Sequence, residues 1–481
     1  MNEIELLDVE YVEAEEVEQE PEQEAEELGS IPIYFERSEQ HKLILDDSLF
    51  IGSLENAGFF TVRKNGETAL VQIRANIIKK IFPDDIKRYV LNDTEQYFDR
   101  EIKNFFIRNT KYFTINYLSA LRRVEPQILR DTKDIAYFYY TNGVVQVTKE
   151  RIYDPVSYVS FGYLVWEEHI LPREYIIKQD WNESSFPKFV FRLANNNEER
   201  YYYLCSIIGY ALHNYRTNDN TRAIIINDEN INEHPEGGSG KSLLAKSLGQ
   251  LRNLVIKDGK TFNPRRSFEY SNIDETTDLV LIDETSENFS FQDLFSVITE
   301  GIEIEQKFKN KRRLSIEDTP LFLITTNTVV KGFGGSNKRR QYNVDIHQHF
   351  NYHHTPKDEF GKRFFTEWDK EEWLNFDNFM LYCVWLKLNR EIMHYSNEVN
   401  VIKEAVRATN QTFYEWFEEV KYDFQNKTST KEALNRYQEE TGENLSPRKF
   451  IGFIKHCAQI FGYEFIQERT PNERGFRLVL N

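Results

Sequence analysis

The sequence predicts an α/β fold organised on a parallel sheet, and three observations predict it. Between residue 223 and about 350, five short apolar segments (223–227, 253–257, 279–283, 320–326 and 341–346) alternate with helical or loop stretches, as parallel strands do when helices cover both faces of their sheet. A glycine-rich run, Gly237-Gly238-Ser239-Gly240, lies between the first segment and a helical stretch over Leu243–Leu251. The third segment closes on the carboxylate pair Asp283-Glu284 and the fourth on Thr325-Thr326-Asn327. Strand ends therefore carry the polar chemistry.

The rest of the chain divides by composition. At 481 residues it exceeds the roughly 250–300 residues that one core supports, which predicts two to four domains. Residues 1–29 form an acidic tail, too charged to bury a core and expected to be disordered. Of the net charge of −18, this tail contributes −13 and leaves −5 for the body, a balance that still permits a local basic groove for phosphates. From 30 to 198 short strands mix with helices, an α+β accessory domain. Within it Ile77–Phe82 and Ile102–Arg123 have helical spacing, and Tyr137–Tyr140 with Val144–Val147 read as a hairpin about Asn142-Gly143.

Residues 199–364 form the central domain, entered through a helical stretch from Glu199 to Tyr215. The region 365–481 is helical and rich in Trp and Phe, and its end, helix Lys449–Phe461 followed by two short strands, looks like a winged helix. Cys205, Cys383 and Cys457 are far apart, which argues against a disulfide framework or a cysteine zinc site and for a reducing compartment. No apolar run is long enough to cross a bilayer, and acids begin at Glu3 where a secretion signal would be basic, so a soluble cytosolic protein with no membrane partner is expected.

The glycine run sits where a phosphate cradle would. Gly237, Gly238, Ser239 and Gly240 let backbone N–H groups turn inward, and the helix opening at Lys241, Ser242 and Leu243 adds positive potential. Lys241 is placed to reach β and γ phosphates, and Ser242 to ligate Mg²⁺. The usual G-x-x-x-x-G-K-S spacing has one departure, Pro235 at the first glycine. Asp283 is the second expected magnesium residue, Glu284 the residue that orients and deprotonates an attacking water, and Asn327 an amide for the γ phosphate or that water. Between the two polar strand ends runs Ile302–Arg313, where Lys307, Phe308, Lys309, Lys311 and Arg312 combine charge with one aromatic. On a hairpin such a cluster tracks a phosphodiester backbone while the ring stacks on a base.

This order of Gly-Lys-Ser loop, Asp-Glu strand, basic hairpin and Thr-Thr-Asn strand resembles, over about 200–350, the superfamily 3 helicases of viruses, phages and plasmids, especially the poxvirus-type and phage primase-helicases. Upstream, Tyr137–Lys149, Gly162–Trp166 and Leu171-Pro172-Arg173 look like the region preceding the motor in phage primase-polymerase proteins. The resemblance implies an AAA+-type P-loop motor that uses ATP and Mg²⁺ in a ring, most often a hexamer, inside a bacterial host cell. It implies 3′ to 5′ travel on single-stranded DNA, with basic hairpins lining the pore. It also implies an arginine finger shortly before the last strand. Arg339 and Arg340 fit that slot, Arg340 being favoured.

Asp345, His347, His349, His353 and His354 offer metal-ligand types, with strand-edge packing as the favoured account. Asp46-Asp47 is the one early acidic pair for two-metal priming chemistry, too little for a primase, so any priming would come from a separate primase or polymerase. The rivals to a ring helicase are a non-translocating ATPase acting as loader or defence switch, and an origin-binding module with weak ATPase.

Overall fold

Unbroken runs of Val, Ile and Leu form strands buried on both faces, because crossover helices cover each side of a parallel sheet. In the computed structural model the five apolar segments are strands, buried in the middle of the sheet and partly exposed at its β2 edge: β1 (Ala223–Asp228), β2 (Leu254–Asp258), β3 (Leu279–Thr285), β4 (Leu321–Thr326) and β5 (Gln341–Ile346). All pair in parallel, in the order β2-β3-β4-β1-β5. Residues 32–480 are described, apart from 65–66, 94–99, 128, 230–236, 287–288, 308–310, 329, 331–334, 393–394, 396–397 and 470–473. The acidic tail, Pro235, Phe308 and Lys309 thus lie outside the described residues.

The topology fixes where a ligand would sit. From β1 the chain leaves for the far edge at β2, whereas from β4 it passes over β1 to β5. Between β1 and β4 the connections diverge, and a crevice opens at the carboxyl ends of the strands. One face of the sheet packs Ile225, Ile282, Phe322 and Ile324 against Phe291, Leu294 and Ile298. The alternate residues Ile224, Ile226, Leu281 and Leu323 are buried as well.

The chain divides at Ile176/Ile177 into two units, with the sheet in the second. That unit includes α1 (Glu198–Leu212), α2 (Lys241–Leu248), α3 (Lys370–Asn389) and α4 (Glu398–Ala408). Its last part packs Phe413, Trp416, Phe417, Tyr437, Phe450 and Phe476 into one cluster. There helix Pro447–Ile460 is followed by strands Tyr463–Arg469 and Arg474–Leu480, which pair antiparallel, and Thr428–Ser429 adds a third strand. Cys205, Cys383 and Cys457 are buried free thiols.

The first unit corrects two expectations. Ile77–Ile81 is a strand, not a helix, because a turn at Ala75 and Asn76, both at positive φ, folds it back on Glu67–Arg74. The spacing of Ile77, Ile78 and Ile81 marks one helix face, but in the strand Ile78 and Ile81 lie on opposite sides and enter separate clusters. Ile102–Arg123 breaks into helix Arg100–Arg108, a 3-10 turn at Thr110–Phe113 and a short helix Ile115–Leu118, capped afresh by the Thr114 hydroxyl. The hairpin about Asn142-Gly143 is present, Ile135–Tyr140 pairing with Gly143–Thr148. Asp46 and Asp47 do structural work: Asp46 caps helix Asp47–Asn56 through the Leu49 N–H at 2.9 Å, and Asp47 accepts the Tyr117 hydroxyl at 2.7 Å. Among the described residues no helix is long and apolar enough to cross a membrane.

Helices α1 and α3 cross at Gly209, where a Cβ would stand 2.0 Å from the Cys383 carbonyl oxygen. Gly209→Ala gains about 1 kcal/mol of helix propensity but forces the two backbones apart, an overpacking that costs about 1–3 kcal/mol or more. The expected outcome is net destabilisation, read as a lower urea midpoint at unchanged slope.

Candidate active site at the carboxyl ends of β1, β3 and β4

The glycine loop follows β1 and ends where α2 begins. Gly238 and Gly240 take φ of 98° and 103°, conformations that side chains strain against. At Gly240 a Cβ would also press on Phe189 at 3.1 Å. These two turns place the loop in a cleft of about 200 Å³. Gly237 to Leu243 line one side of the cleft, and Glu284, Thr325, Thr326 and Asn327 line the other. The cleft lies in the crevice between β1 and β4.

One carboxylate ties the two sides together. Asp283 Oδ1 accepts the Ser242 hydroxyl and the Thr325 hydroxyl, each at 2.7 Å, and Oδ2 pairs with Lys246 Nζ at 2.9 Å. Burial pushes the Asp283 carboxyl up, but the bonds from Ser242, Thr325 and Lys246 outweigh it and hold the group below its ordinary value. Ser242 and Lys246 stand four apart on α2, so one helix face presents both.

Glu284 is aimed by a bulge. The register between β3 and β4 shifts between Ile282 and Thr285, and Glu284 takes a φ of 57°. A bulge re-aims a side chain at the cost of local strain. Two contacts hold it: the Glu284 N–H donates to Thr325 Oγ1 at 2.8 Å, and the Gly259 N–H donates to the Asp283 carbonyl at 2.7 Å. At Gly259 a Cβ would meet the Asp283 oxygen and the Thr285 nitrogen, both at 2.6 Å, so only glycine lets the neighbouring chain approach. The Glu284 side chain is exposed, with Lys260 Nζ 3.4 Å away.

Lys241 is buried. Its ammonium pairs with Asp228, the last residue of β1, and donates to Ser239 Oγ at 3.1 Å. Asp228 begins a chain of buried charges. Lys403 of α4 donates to the Asp228 carbonyl and pairs with Asp345 Oδ1 at 2.6 Å. The Asp345 carbonyl accepts Arg200 at 2.8 Å, and Arg200 pairs with Glu229 at 3.0 Å, as does His347. Burial pushes Lys403 below its ordinary value, although Asp345 beside it opposes the shift.

No family model matches the chain, and no curated relative matches it. Among solved structures, the apo NrS-1 C-terminal region is similar at 11% identity, with a TM-score of 0.42 over 90% of this chain and 98% of that one. A second apo structure of that region stands at 12% and 0.39, covering 91% and 100%. JCV helicase with a small acetamide compound bound stands at 12% and 0.24, covering 49% of this chain and 70% of that one. Function is read from the site itself.

The remaining expected residues lie outside the cleft. The hairpin exists, Glu303–Ile304 pairing with Arg312–Arg313. Lys307 is exposed and Lys311 faces Glu303 and Glu305 at 3.3 and 3.4 Å. Arg312 is turned into the protein, with only 18% of its side chain exposed, because Glu275 holds it at 2.6 Å and the Ile273 carbonyl accepts from it. It braces the hairpin and presents little charge. Arg340 also packs on its own chain, over the Phe295 ring at 4.7 Å, and donates to the Ser336 carbonyl, whereas Arg339 is exposed. Both precede β5, and the Arg340 carbonyl accepts from Ala223 at the start of β1. They are thus about a strand length, roughly 17 Å, from the loop at the other end of β1.

Sequence reasoning missed Asp228, Lys246, Thr325 and Gly259. The signals were an acid closing an apolar strand, a lysine one turn past Ser242, and a hydroxyl two residues before Asn327. Gly259 had none.

Replacing Lys403 by Met strands Asp345 without its nearest buried cation. The expected loss is about 3–5 kcal/mol of unfolding free energy, checked by urea denaturation. The Lys403→Met/Asp345→Leu pair should recover part of it, since it deletes that unpaired carboxylate but leaves Arg407, 3.8 Å from Asp345 Oδ2, without its partner.

Proposed function

We propose that this chain is an ATP-hydrolysing motor that works on single-stranded DNA as a ring helicase. The observation that carries the reading is Asp283. Its Oδ1 receives Ser242 from the glycine-loop helix and Thr325 from β4, and Glu284 follows it at the mouth of the same cleft. Hydroxyl and carboxylate oxygens are the donors a hard cation takes. Mg²⁺ would be held by Ser242 and Asp283 and would there supply charge neutralisation for the β and γ phosphates of a bound nucleotide.

The chain's own groups supply the remaining steps. The loop N–H groups between Gly238 and Ser242 bind phosphate oxygens. Lys241 exchanges Asp228 for phosphate, a trade of one anion for another that keeps the buried ammonium paired. Glu284 orients the attacking water and takes its proton, and Asn327 fixes the γ phosphate or that water. Ser242, Thr325 and Lys246 hold the Asp283 carboxyl below its ordinary value, which favours the carboxylate form a cation needs.

A neighbouring subunit would complete the site. Arg339 is exposed and stands at the strand end opposite its own cleft, so it serves a neighbour's site better than its own. Arg340, held over Phe295, positions that turn. Lys307, Phe308, Lys309 and Lys311 would contact the DNA, with Arg312 as the brace.

Lys241→Ala should abolish ATP turnover. Glu284→Gln should retain nucleotide binding and lose turnover by about 10²–10⁴-fold, measured as steady-state phosphate release beside nucleotide affinity. Parent-level turnover in the Glu284→Gln chain would sink the hydrolytic assignment.

Lys309→Ala should lower the ratio of ATPase rates with and without single-stranded DNA. Strand displacement on a forked duplex, with solution mass measured alongside, separates a translocating ring from a loader or switch, which would hydrolyse ATP yet leave the duplex intact.

A further inference from the structure

Beyond the cleft, one cluster brings together metal-ligating groups that the reading above does not use. His349, His354 and Glu359 each direct one ligand atom to a common point, all within 4.8 Å of one another. His349 Nε2 lies 2.7 Å and His354 Nε2 3.1 Å from the same oxygen, Glu359 Oε2. The two rings meet edge to face, at 75° with centroids 5.3 Å apart, so their nitrogens converge without stacking. The other carboxylate oxygen, Oε1, is held by Arg192 Nε at 2.7 Å, which fixes the group's orientation and leaves Oε2 to face the imidazoles.

Local structure sets this convergence. The Asn351 side chain accepts the backbone N–H groups of His353 and His354, and the Asn351 N–H donates to the His354 carbonyl, closing a turn that brings His354 back beside His349. Thr355 and Asp358 then cap the helix Pro356–Phe360 reciprocally, which presents Glu359 on its first turn. His347 is turned away to Glu229, and the His353 ring packs by Tyr352.

We propose that His349, His354 and Glu359 form a site for a borderline divalent metal of the zinc class. Two imidazole nitrogens and one carboxylate oxygen suit Zn²⁺, with a fourth position left to water. The same donors suit Mg²⁺ poorly, because that ion takes oxygen ligands. This metal site is distinct from the Ser242 and Asp283 pair.

The site fastens the segment that backs the glycine loop. A Cβ at Gly238 would stand 3.4 Å from the Asn351 carbonyl carbon, Phe350 stacks on Phe189 beneath Gly240, and Pro356 lines the cleft. A metal joining residues 349, 354 and 359 would hold that backing in one conformation. Binding itself does not depend on the ATPase reading; only this consequence does.

The test is metal stoichiometry of the full chain, stripped with EDTA and titrated with Zn²⁺ alone. One equivalent is expected in the parent. Glu359→Gln and the double variant His349→Ala/His354→Ala should each lose it, with thermal melts in EDTA checking that they fold. Arg192→Met should weaken binding by about 10–100-fold, the usual effect of removing a group that orients a ligand. Co²⁺ in the unmodified chain should give visible absorption of a nitrogen-ligated, four- or five-coordinate ion, which decides the matter even if a variant does not fold. Absence of bound Zn²⁺ and Co²⁺ in the parent, or an equivalent retained by a folded Glu359→Gln chain, would overturn the proposal and leave a hydrogen-bonded His–Glu–His cluster. Phosphate release is assayed separately, so loss of one reading leaves the other standing.

Discussion

The Asp283 carboxylate is the constraint on which the site depends. It joins α2 through Ser242 and Lys246, and β4 through Thr325. Its backbone carbonyl accepts Gly259 from the turn after β2. A half-buried anion with three side-chain donors has few alternative partners, and removing one exposes the rest to a full desolvation cost. The glycine loop, Ser242, Asp283 and Glu284 therefore share one register. Thr325 contributes twice, since its hydroxyl donates to Asp283 and accepts the Glu284 N–H. The strained φ of Glu284 persists because a hydroxyl on one strand and a glycine beside another both hold it.

Burying Lys241, Asp228, Lys403, Asp345 and Arg200 together is costly, since each ion gives up several kcal/mol of hydration. The arrangement endures because every charge meets an opposite charge or a carbonyl in sequence. It also links α4, far along the chain, to the residue that pairs with the loop lysine. Any movement of Lys241 towards a phosphate takes the ammonium from Asp228 Oδ2, and Oδ1 has no hydrogen-bond partner among the described residues, which leaves Lys403 on the Asp228 carbonyl as its nearby cation. The lysine's exchange is thus coupled to how firmly α4 holds Asp228 and Asp345.

The parallel sheet was legible because its signal is a property of each segment: five apolar runs, each closed by polar residues, became five strands. Lys241 and Ser242, expected at the junction of glycine loop and helix, and Asp283, Glu284 and Asn327, expected at strand ends, are brought together around one cleft. Glu359 was not legible as a partner of His349 and His354, because a capped helix, not periodicity, brings it back. Arg312 counted as free charge in sequence, yet Glu275 lies 37 residues earlier and no local pattern announces the pair. Ile77–Ile81 failed for a different reason. A strand covered on both faces buries the same isoleucines that a helix would bury on one, and the turn at Ala75-Asn76 decided between them.

The exposure of Glu284 bears on how hydrolysis would be timed. Its partner Lys260 is more than half exposed, so the pair contributes at most about 1 kcal/mol and gives way readily. In the proposed role of general base Glu284 would be open to solvent, and proton transfer gains most once bulk water is excluded. Among the described residues the cleft is walled by the glycine loop, the end of β4 and Pro356, and it opens where the Glu284 side chain is exposed. The arginines before β5 stand at the opposite end of the strands. A second copy packed head to tail would bring that end against this opening, covering Glu284 and delivering Arg339 together. Under the proposed function turnover would then depend on assembly, because Glu284 and Arg339 lie at opposite ends of one sheet.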